Sequence, residues 1–107
     1  MSLRGLGKRE AGSVDGSTPI RLFAATGGSS PHRKAIQFAN CDAGRTVFLR
    51  FGKAGDSAPT LSPVNFDFAV PPRATLTLEA SAALDLWALN DSGGVTTSAY
   101  AAAEVLG

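Results

Sequence analysis

From Thr18 onward the chain repeats one pattern, in which short runs of apolar and β-branched residues alternate with clusters of turn-forming residues. The clusters are rich in Gly, Pro, Ser, Asn and Asp, and a new one comes about every ten residues. About seven runs can be distinguished, at residues 19–25, 34–40, 46–51, 65–70, 74–80, 83–90 and 95–106. Short strands at this spacing, without an amphipathic helical stretch, predict an all-β fold: one small antiparallel β-sandwich or compact barrel of the jelly-roll or immunoglobulin-like group.

Alternation of residues within the runs predicts which side chains share a face. The clearest case is the run at 74–80, in which leucines alternate with threonines and are expected to point inward. The runs at 46–51, 65–70 and 83–90 also alternate. Together the four runs predict these shared faces: Val47 with Leu49 and Phe51, Phe66 with Phe68 and Val70, Leu76 with Leu78, and Leu84 with Leu86 and Ala88.

Two further features concern connectivity and the end of the chain. The turn-forming residues at 42–44 predict that the runs on either side of them, 34–40 and 46–51, pair as a hairpin. The last run, at 95–106, contains four alanines, which suit a helix, together with threonines, a tyrosine and a valine, which suit a strand. We predict a strand there.

The first 17 residues have a different composition from the rest. Residues 1–17 are rich in glycine, serine and charged side chains, with only Leu3 and Leu6 as sizeable core candidates. They predict a flexible N-terminal arm attached to a β-sandwich domain at 18–107. They also lack the apolar run of a secretory signal peptide, so we expect synthesis in a cytoplasm.

The charges are balanced, which bears on the partners. Ten Lys and Arg oppose nine Asp and Glu in 107 residues, for a net charge of +1. Without a strong net field, a protein has no general attraction to nucleic acid or to an anionic membrane. Neither is therefore expected as a partner. The single cysteine, Cys41, allows no internal disulfide and no multi-thiolate zinc site, so the fold is expected to rest on packing, without metal or cofactor.

No set of residues that would carry catalysis is evident. His32, the one histidine, is followed by Arg33 and Lys34, whose charges disfavour the imidazolium form. Glu79 and Asp85 are predicted on the solvent faces of neighbouring strands, and not as an acid–base pair in a cleft. We therefore expect the protein not to be an enzyme.

Two features predict contact surfaces. The loop at 52–63, rich in Gly and Pro, has little capacity for regular structure and suits a contact loop. Trp87 and Tyr100 are candidates for exposed aromatic contacts. With Asn90 and Asp91 as hydrogen-bonding neighbours, they would suit a carbohydrate- or receptor-binding module, which is an alternative function.

Four segments and a Glu-Val pair near the end of the chain, taken together, resemble small virion proteins of tailed bacteriophages. In that group a strand ending in Asn is followed by a strand that ends near a glycine, then by a Pro-rich turn into a Thr/Leu strand. A further strand and a closing strand with a terminal Glu-Val complete the pattern. The matching parts of this chain are 33–40, 46–52, 68–79, 84–90 and Glu104-Val105, so the resemblance spans roughly residues 33–106.

The resemblance implies a capsid decoration, or cement, protein. Such a protein would be a homotrimer that binds the major capsid protein lattice and stabilises the phage head; it would be made in the host cytoplasm and lie on the capsid surface. The flexible arm would order on a neighbouring subunit. Its contact residues would be Leu3, Arg4, Leu6, Lys8 and Arg9. A head–tail or tail component of a phage is a further alternative.

Overall fold

The structure is a computed structural model that describes residues 6–25, 33–79 and 83–106. Within these ranges every regular element is a β-strand, and none of the residues belongs to a helix long and apolar enough to cross a membrane. The strands are β1 (Leu6–Val14), β2 (Ile20–Phe23), β3 (Arg33–Asn40), β4 (Val47–Lys53), β5 (Phe68–Val70), β6 (Thr75–Leu78), β7 (Leu84–Asn90) and β8 (Ser98–Leu106). Strands β2 to β8 overlap the seven predicted runs in order, and β8 confirms the strand predicted at the end of the chain.

The strands form two antiparallel four-stranded sheets that pack face to face. Sheet A has the order β1-β8-β3-β6, and sheet B has the order β2-β7-β4-β5. Each sheet places its alternate apolar residues on the inner face, where they are removed from water. The predicted fold, a single small all-β sandwich, is thereby confirmed.

The core lies between the sheets and draws large side chains from both of them. The apolar side chains that are at most 2% exposed are Val14, Phe23, Ile36, Phe38, Val47, Leu49, Val70, Leu78, Leu86 and Ala88. Fully burying one large side chain of this kind stabilises the fold by about 1.5–3 kcal/mol. The faces predicted for β4, β6 and β7 are therefore the ones that enter the core.

Residues 6–14 form β1, an edge strand of sheet A, whereas the sequence predicted a flexible arm over 1–17. β1 pairs with β8 along its length, with one irregularity near its start. At its end Val14 is 1% exposed and belongs to the core. The arm prediction is wrong for this strand because its glycines and serine leave too few side chains to show an alternation. The sandwich therefore includes β1 and is not confined to 18–107.

β3 and β4 belong to different sheets, so the hairpin predicted for them is wrong. β3 lies between β8 and β6, and β4 lies between β7 and β5. Residues 41–46 carry the chain from one sheet to the other. The turn-forming composition of these residues indicates that the chain changes direction, but it does not indicate which strand the next segment will pair with.

β5 is shorter than the run that predicted it and begins only after Asp67. The Asp67 carboxylate Oδ2 accepts a hydrogen bond from the backbone N–H of Phe51 at 2.9 Å, which ends the regular alternation at that point. As a result Phe66 lies on the outside of sheet B, where its ring centroid is 4.8 Å from that of Phe48. The sequence predicts that Phe66 shares a face with Val70, and this prediction is wrong.

Candidate functional site

The outer face of sheet B, turned away from the core, is crossed by the long connection from β4 to β5. Arg21, Trp87 and Arg50 stand opposite one another on β2, β7 and β4, so they form a row across this face. We call residues 54–67, which run over the face, the strap. The strap contains most of the predicted contact loop.

An apolar contact holds the strap on sheet B. Leu61 is 7% exposed and packs with Phe48 and Leu89, while Trp87 lies against this group. The cluster is separate from the main core, from which the sheet itself divides it. Part of the predicted contact loop at 52–63 thus packs on sheet B through Leu61, while residues 53–58 remain exposed.

A buried carboxylate fixes the start of the strap. The Asp85 side chain is 1% exposed and accepts hydrogen bonds from the backbone N–H groups of Ala25, at 2.7 Å, and Gly55, at 3.2 Å. The Arg21 guanidinium lies 3.6 Å from the second carboxylate oxygen. Asp85 was predicted on a solvent face, and that prediction is wrong because the strap and the residues after β2 fold over it.

Trp87 lies partly under the strap and is not the open aromatic contact that the sequence predicted. Its indole Nε1 is buried and has no hydrogen-bond partner among the described residues, an arrangement that costs about 1–3 kcal/mol. Gly52 leaves space for the ring, since a Cβ there would lie 3.2 Å from Nε1 and 3.3 Å from Cδ of Pro59. Beside the indole, the Arg50 guanidinium donates a hydrogen bond to the carbonyl oxygen of Thr60 on the strap.

The strap reverses in a tight turn that is exposed at its tip. Ser62 and Asn65 exchange both backbone hydrogen bonds, at 3.0 and 3.1 Å. The Ser62 hydroxyl also accepts a hydrogen bond from the backbone N–H of Val64 at 3.2 Å. These bonds fix the backbone of the turn, while the Val64 side chain remains 84% exposed.

The turn and the residue after it form a rigid apolar protrusion. Phe66 is 40% exposed, and its ring rests on the partly buried cluster through Phe48. We call residues 63–66 the strap tip. The charged residue that follows directly, Asp67, is also exposed. Rigidly held apolar groups at a surface are typical of sites that bind another protein.

The outer face of sheet A is concave, whereas the strap tip on sheet B protrudes. Ala11, Ala101 and Ala39 stand opposite one another on β1, β8 and β3. Because these side chains are short and those around them are longer, the face is hollowed into a shallow trough of about 520 Å³. We call it the sheet A trough. Its floor is Ala11, Ala39, Ala101 and Ala103, its rim is Arg9, Gln37 and Thr75, and Glu10 and Ala102 also line it.

Of the five residues predicted to form a contact arm, three lie in strand β1 and two lie outside the described residues. Leu3 and Arg4 lie outside the described residues. Leu6 and Lys8 lie in strand β1, and Arg9 is exposed on the same strand at the rim of the sheet A trough. The structure thus brings Arg9 together with residues of β3, β6 and β8, a grouping that the sequence did not predict.

A buried asparagine at the end of β3 ties together the connections at one end of the sandwich. The Asn40 Nδ2 group donates to the carbonyl oxygens of Arg45 at 2.7 Å, Val70 at 3.0 Å and Pro71 at 3.2 Å. Its Oδ1 atom accepts a hydrogen bond from the backbone N–H of Asp42 at 3.0 Å. Asn40 therefore links the β3–β4 connection to the end of β5.

A second buried asparagine has the same role at the end of β7. The Asn90 Nδ2 group donates to the carbonyl oxygens of Val14 at 3.2 Å and Thr96 at 2.8 Å, and to the hydroxyl of Ser98 at 3.1 Å. Its Oδ1 atom accepts from the backbone N–H of Ser92 at 2.9 Å. Asn90 is therefore engaged within the fold and is not the ligand-binding group that the carbohydrate alternative required.

Tyr100 is a core residue, so its predicted role as an exposed contact is wrong. The side chain is 7% exposed, and its ring lies nearly parallel to that of Phe38, with centroids 5.7 Å apart. It alternates along β8 with the outward-facing Ala99 and Ala101, which is why it points inward. Burial raises the pKa of Tyr100 above its usual value, and the charge of Glu10 raises it further.

The described residues contain no group of three His, Cys, Asp or Glu side chains arranged to hold a metal ion. His32 lies outside that part of the chain. The Ser92 hydroxyl is engaged within its own turn, where it contacts the carbonyl oxygen of Gly94 at 3.1 Å and accepts from the Gly94 N–H at 3.2 Å. Asn40, Asn90 and Ser92 thus hold the backbone of connections.

Sequence reasoning missed both the strap tip and the sheet A trough, although each has a signal. A valine between Pro63 and Asn65, at the centre of a polar loop, indicates an apolar group at a turn. Alanines at alternate positions 99, 101 and 103 indicate a strand with a flat outer face. Neither signal could be interpreted before the partner strands were known.

Comparison with protein-family models, with curated proteins and with solved structures finds no match to this chain. The functional conclusion therefore depends on the resemblance of the segments described above and on the surfaces of the sandwich. The most informative of these surfaces are the strap tip on one outer face and the trough on the other.

Proposed function

We propose that this chain is a non-enzymatic structural protein of a virus particle, in which it decorates the phage head by binding the major capsid protein lattice. One observation supports this most. The sandwich uses buried polar groups to fix its own connections, and it has an apolar surface on each outer face, the strap tip on one and the sheet A trough on the other. An enzyme, by contrast, gathers titratable groups in a cleft around its substrate. Exposed apolar surfaces such as these two suit contact with another macromolecule.

The resemblance to tailed-phage virion proteins supports the same proposal. Its segments coincide with consecutive strands of the sandwich: 33–40 with β3, 46–52 with β4, 68–79 with β5 and β6, and 84–90 with β7. The asparagines that end two of these segments are the buried residues that fix the connections. The pattern that carries the resemblance is therefore a pattern of the folded core.

The proposed mechanism is stabilisation by binding. A protein that binds the assembled lattice and not the separate subunits adds its binding free energy to the particle, about 2.7 kcal/mol per site when its free concentration is 100 times Kd. We assign the contact with the lattice to the exposed surface of the folded sandwich, which includes β1. A separate binding arm over residues 1–17 is not part of this mechanism, because residues 6–14 belong to sheet A.

The carbohydrate-binding alternative loses the residues on which it was based. Tyr100 is buried in the core, Trp87 is partly covered by the strap, and Asn90 donates three hydrogen bonds to its own fold and accepts one. The described residues therefore offer no open aromatic platform of the kind expected. A head–tail or tail component differs from a head protein mainly in its copy number, which the following experiment measures.

The test is the copy number of this chain in purified particles, measured by quantitative peptide mass spectrometry relative to the major shell protein. A ratio near one is expected for a lattice-wide decoration protein. A ratio of a few copies per particle would instead indicate a tail or head–tail component. Absence of the chain from intact particles would overturn the proposal.

A further inference from the structure

We propose that the strap tip of one copy docks in the sheet A trough of a second copy, so that copies of this chain join head to tail. The contact goes beyond the proposed function, because it does not depend on whether the protein lies on a capsid. The strap tip is an exposed apolar group and the sheet A trough is an apolar hollow, and the proposal rests on their complementarity.

The two surfaces belong to opposite outer faces of the sandwich. The strap crosses the outside of sheet B, whereas the trough lies on the outside of sheet A, and the molecule is 18 Å across in its thinnest direction. One copy therefore cannot fill its own trough with its own strap tip. A contact between different surface patches of two copies is heterologous, and it produces a closed ring or an open filament, depending on the angle.

Shape and polarity match across the proposed contact. Val64 is 84% exposed on a turn whose backbone is fixed by two hydrogen bonds, so an apolar group is presented without loss of chain freedom on docking. The trough has a floor of alanines and a volume of about 520 Å³, which leaves room for side chains of this size. An apolar protrusion would thus enter an apolar hollow.

The charges beside the two surfaces are also complementary. Asp67, which is exposed, directly follows the strap tip, and Arg9 is exposed at the rim of the trough. Glu10 also lines the trough, but it is half-buried and its charge acts on Tyr100, on the core side of β1. Opposite charges at the edge of a contact orient the partners more than they add affinity. The same charges argue against a lipid surface as the partner of the tip: Asp56 and Asp67, both exposed on the strap, would be repelled by anionic lipids.

A single tip in a single trough is a small contact, and stable interfaces usually bury about 1,200–2,000 Å² in total. We therefore expect weak association of two copies and stronger association when several contacts close a ring, since closure makes the last contact intramolecular. The measurement that follows is the molar mass of the full-length protein by sedimentation equilibrium, from micromolar to millimolar concentration. The average mass should rise with concentration.

Two substitutions and two matched controls test the surfaces. Val64→Asp places a charge on the strap tip, and Ala101→Gln fills the floor of the trough; each should weaken association at least tenfold. Val95→Asp changes another exposed valine, 81% exposed, and Ala99→Gln changes the same face of β8 outside the trough; each should change it less than twofold. All four sites are exposed, and circular dichroism melts establish that each variant is folded.

Mixing the two defective variants distinguishes a head-to-tail contact from a symmetric one. The Val64→Asp chain keeps an intact trough and the Ala101→Gln chain keeps an intact tip, so an equimolar mixture should form two-chain species and nothing larger. A mixture that stays monomeric at concentrations where wild type forms two-chain species would overturn the proposal. So would wild-type protein that is monomeric at millimolar concentration, or a Val95→Asp effect equal to that of Val64→Asp. None of these results bears on the copy number in particles, so the two proposals fail independently.

Discussion

At the scale of single residues, two buried asparagines hold one end of the sandwich. Substituting Asn40 by alanine removes the donor for three carbonyl oxygens and the acceptor for one N–H group, and each buried group left without a partner costs about 1–3 kcal/mol. We expect Asn40→Ala to lower the free energy of unfolding by about 3 kcal/mol or more. Urea denaturation measures this loss of unfolding free energy, and an unchanged m value shows that the variant exposes the same surface on unfolding. Gln37→Ala, on the exposed face of the same strand, is the control and should have little effect.

Tyr100 gives a second residue-scale prediction, because burial raises its pKa above the ordinary 10.0. Below pH 10 the Tyr100 side chain is neutral in both the folded and the unfolded protein, so its full contribution to stability is present. As the pH rises past that value the unfolded chain ionises first, and stability is lost until the folded chain also ionises. Tyrosinate absorbance should therefore appear late in the native protein, which has one tyrosine. Tyr100→Phe should abolish this alkaline loss; an equal alkaline loss in that variant would contradict the assignment.

At the scale of elements, the strap should detach from sheet B without unfolding of the sandwich. Leu61 joins a small cluster outside the main core, so Leu61→Ala should weaken the strap by about 2–3 kcal/mol while leaving the core intact. Trp87, the one tryptophan, reports this directly. Its emission should shift to the red at temperatures well below the main thermal transition. Val64→Ala, at the exposed tip, should leave the emission unchanged, whereas a red shift in that control would contradict the role of the cluster.

The elements also show what the sequence could predict and what it could not. Runs with regular alternation, such as 74–80, indicate both a strand and its buried face, because the period of two is a local property. β1 was missed because glycine and serine have no hydrophobic alternation to reveal it. The wrong hairpin and the wrong exposure of Asp85 have a different cause: each depends on which distant segment lies alongside, and that is decided by packing of the whole chain.

At the scale of the whole molecule, the first and last strands lie side by side. Leu6 is opposite Val105 in the antiparallel pair of β1 and β8, so the two ends of the folded domain meet at one edge of sheet A. The pair that closes the sheet is thus the most distant in sequence. Because such contacts must wait for loop closure over most of the chain, we expect the slow folding that is typical of β-sandwiches.

The same topology predicts that the chain tolerates circular permutation. Joining Gly107 to Met1 connects β8 to β1 through six residues, 107 and 1–5, which is an ordinary length for a connection between two elements. New ends between Pro63 and Val64 fall in an exposed turn, so we expect this permutant to fold and to lose no more than about 2 kcal/mol of stability. Denaturation and circular dichroism measure the result.

A second permutant, opened between Ala43 and Gly44, is the matched control. Both of these residues are exposed, but the connection around them is held by Asp42, which accepts hydrogen bonds from the N–H groups of Gly44 at 2.9 Å and Arg45 at 2.7 Å, and by Asn40. Opening it frees one side of that network, so the control should be the less stable of the two. If both permutants were equally stable, the buried asparagine would not be what orders this end; if the Pro63–Val64 permutant failed to fold, the pairing of β1 with β8 would be in error.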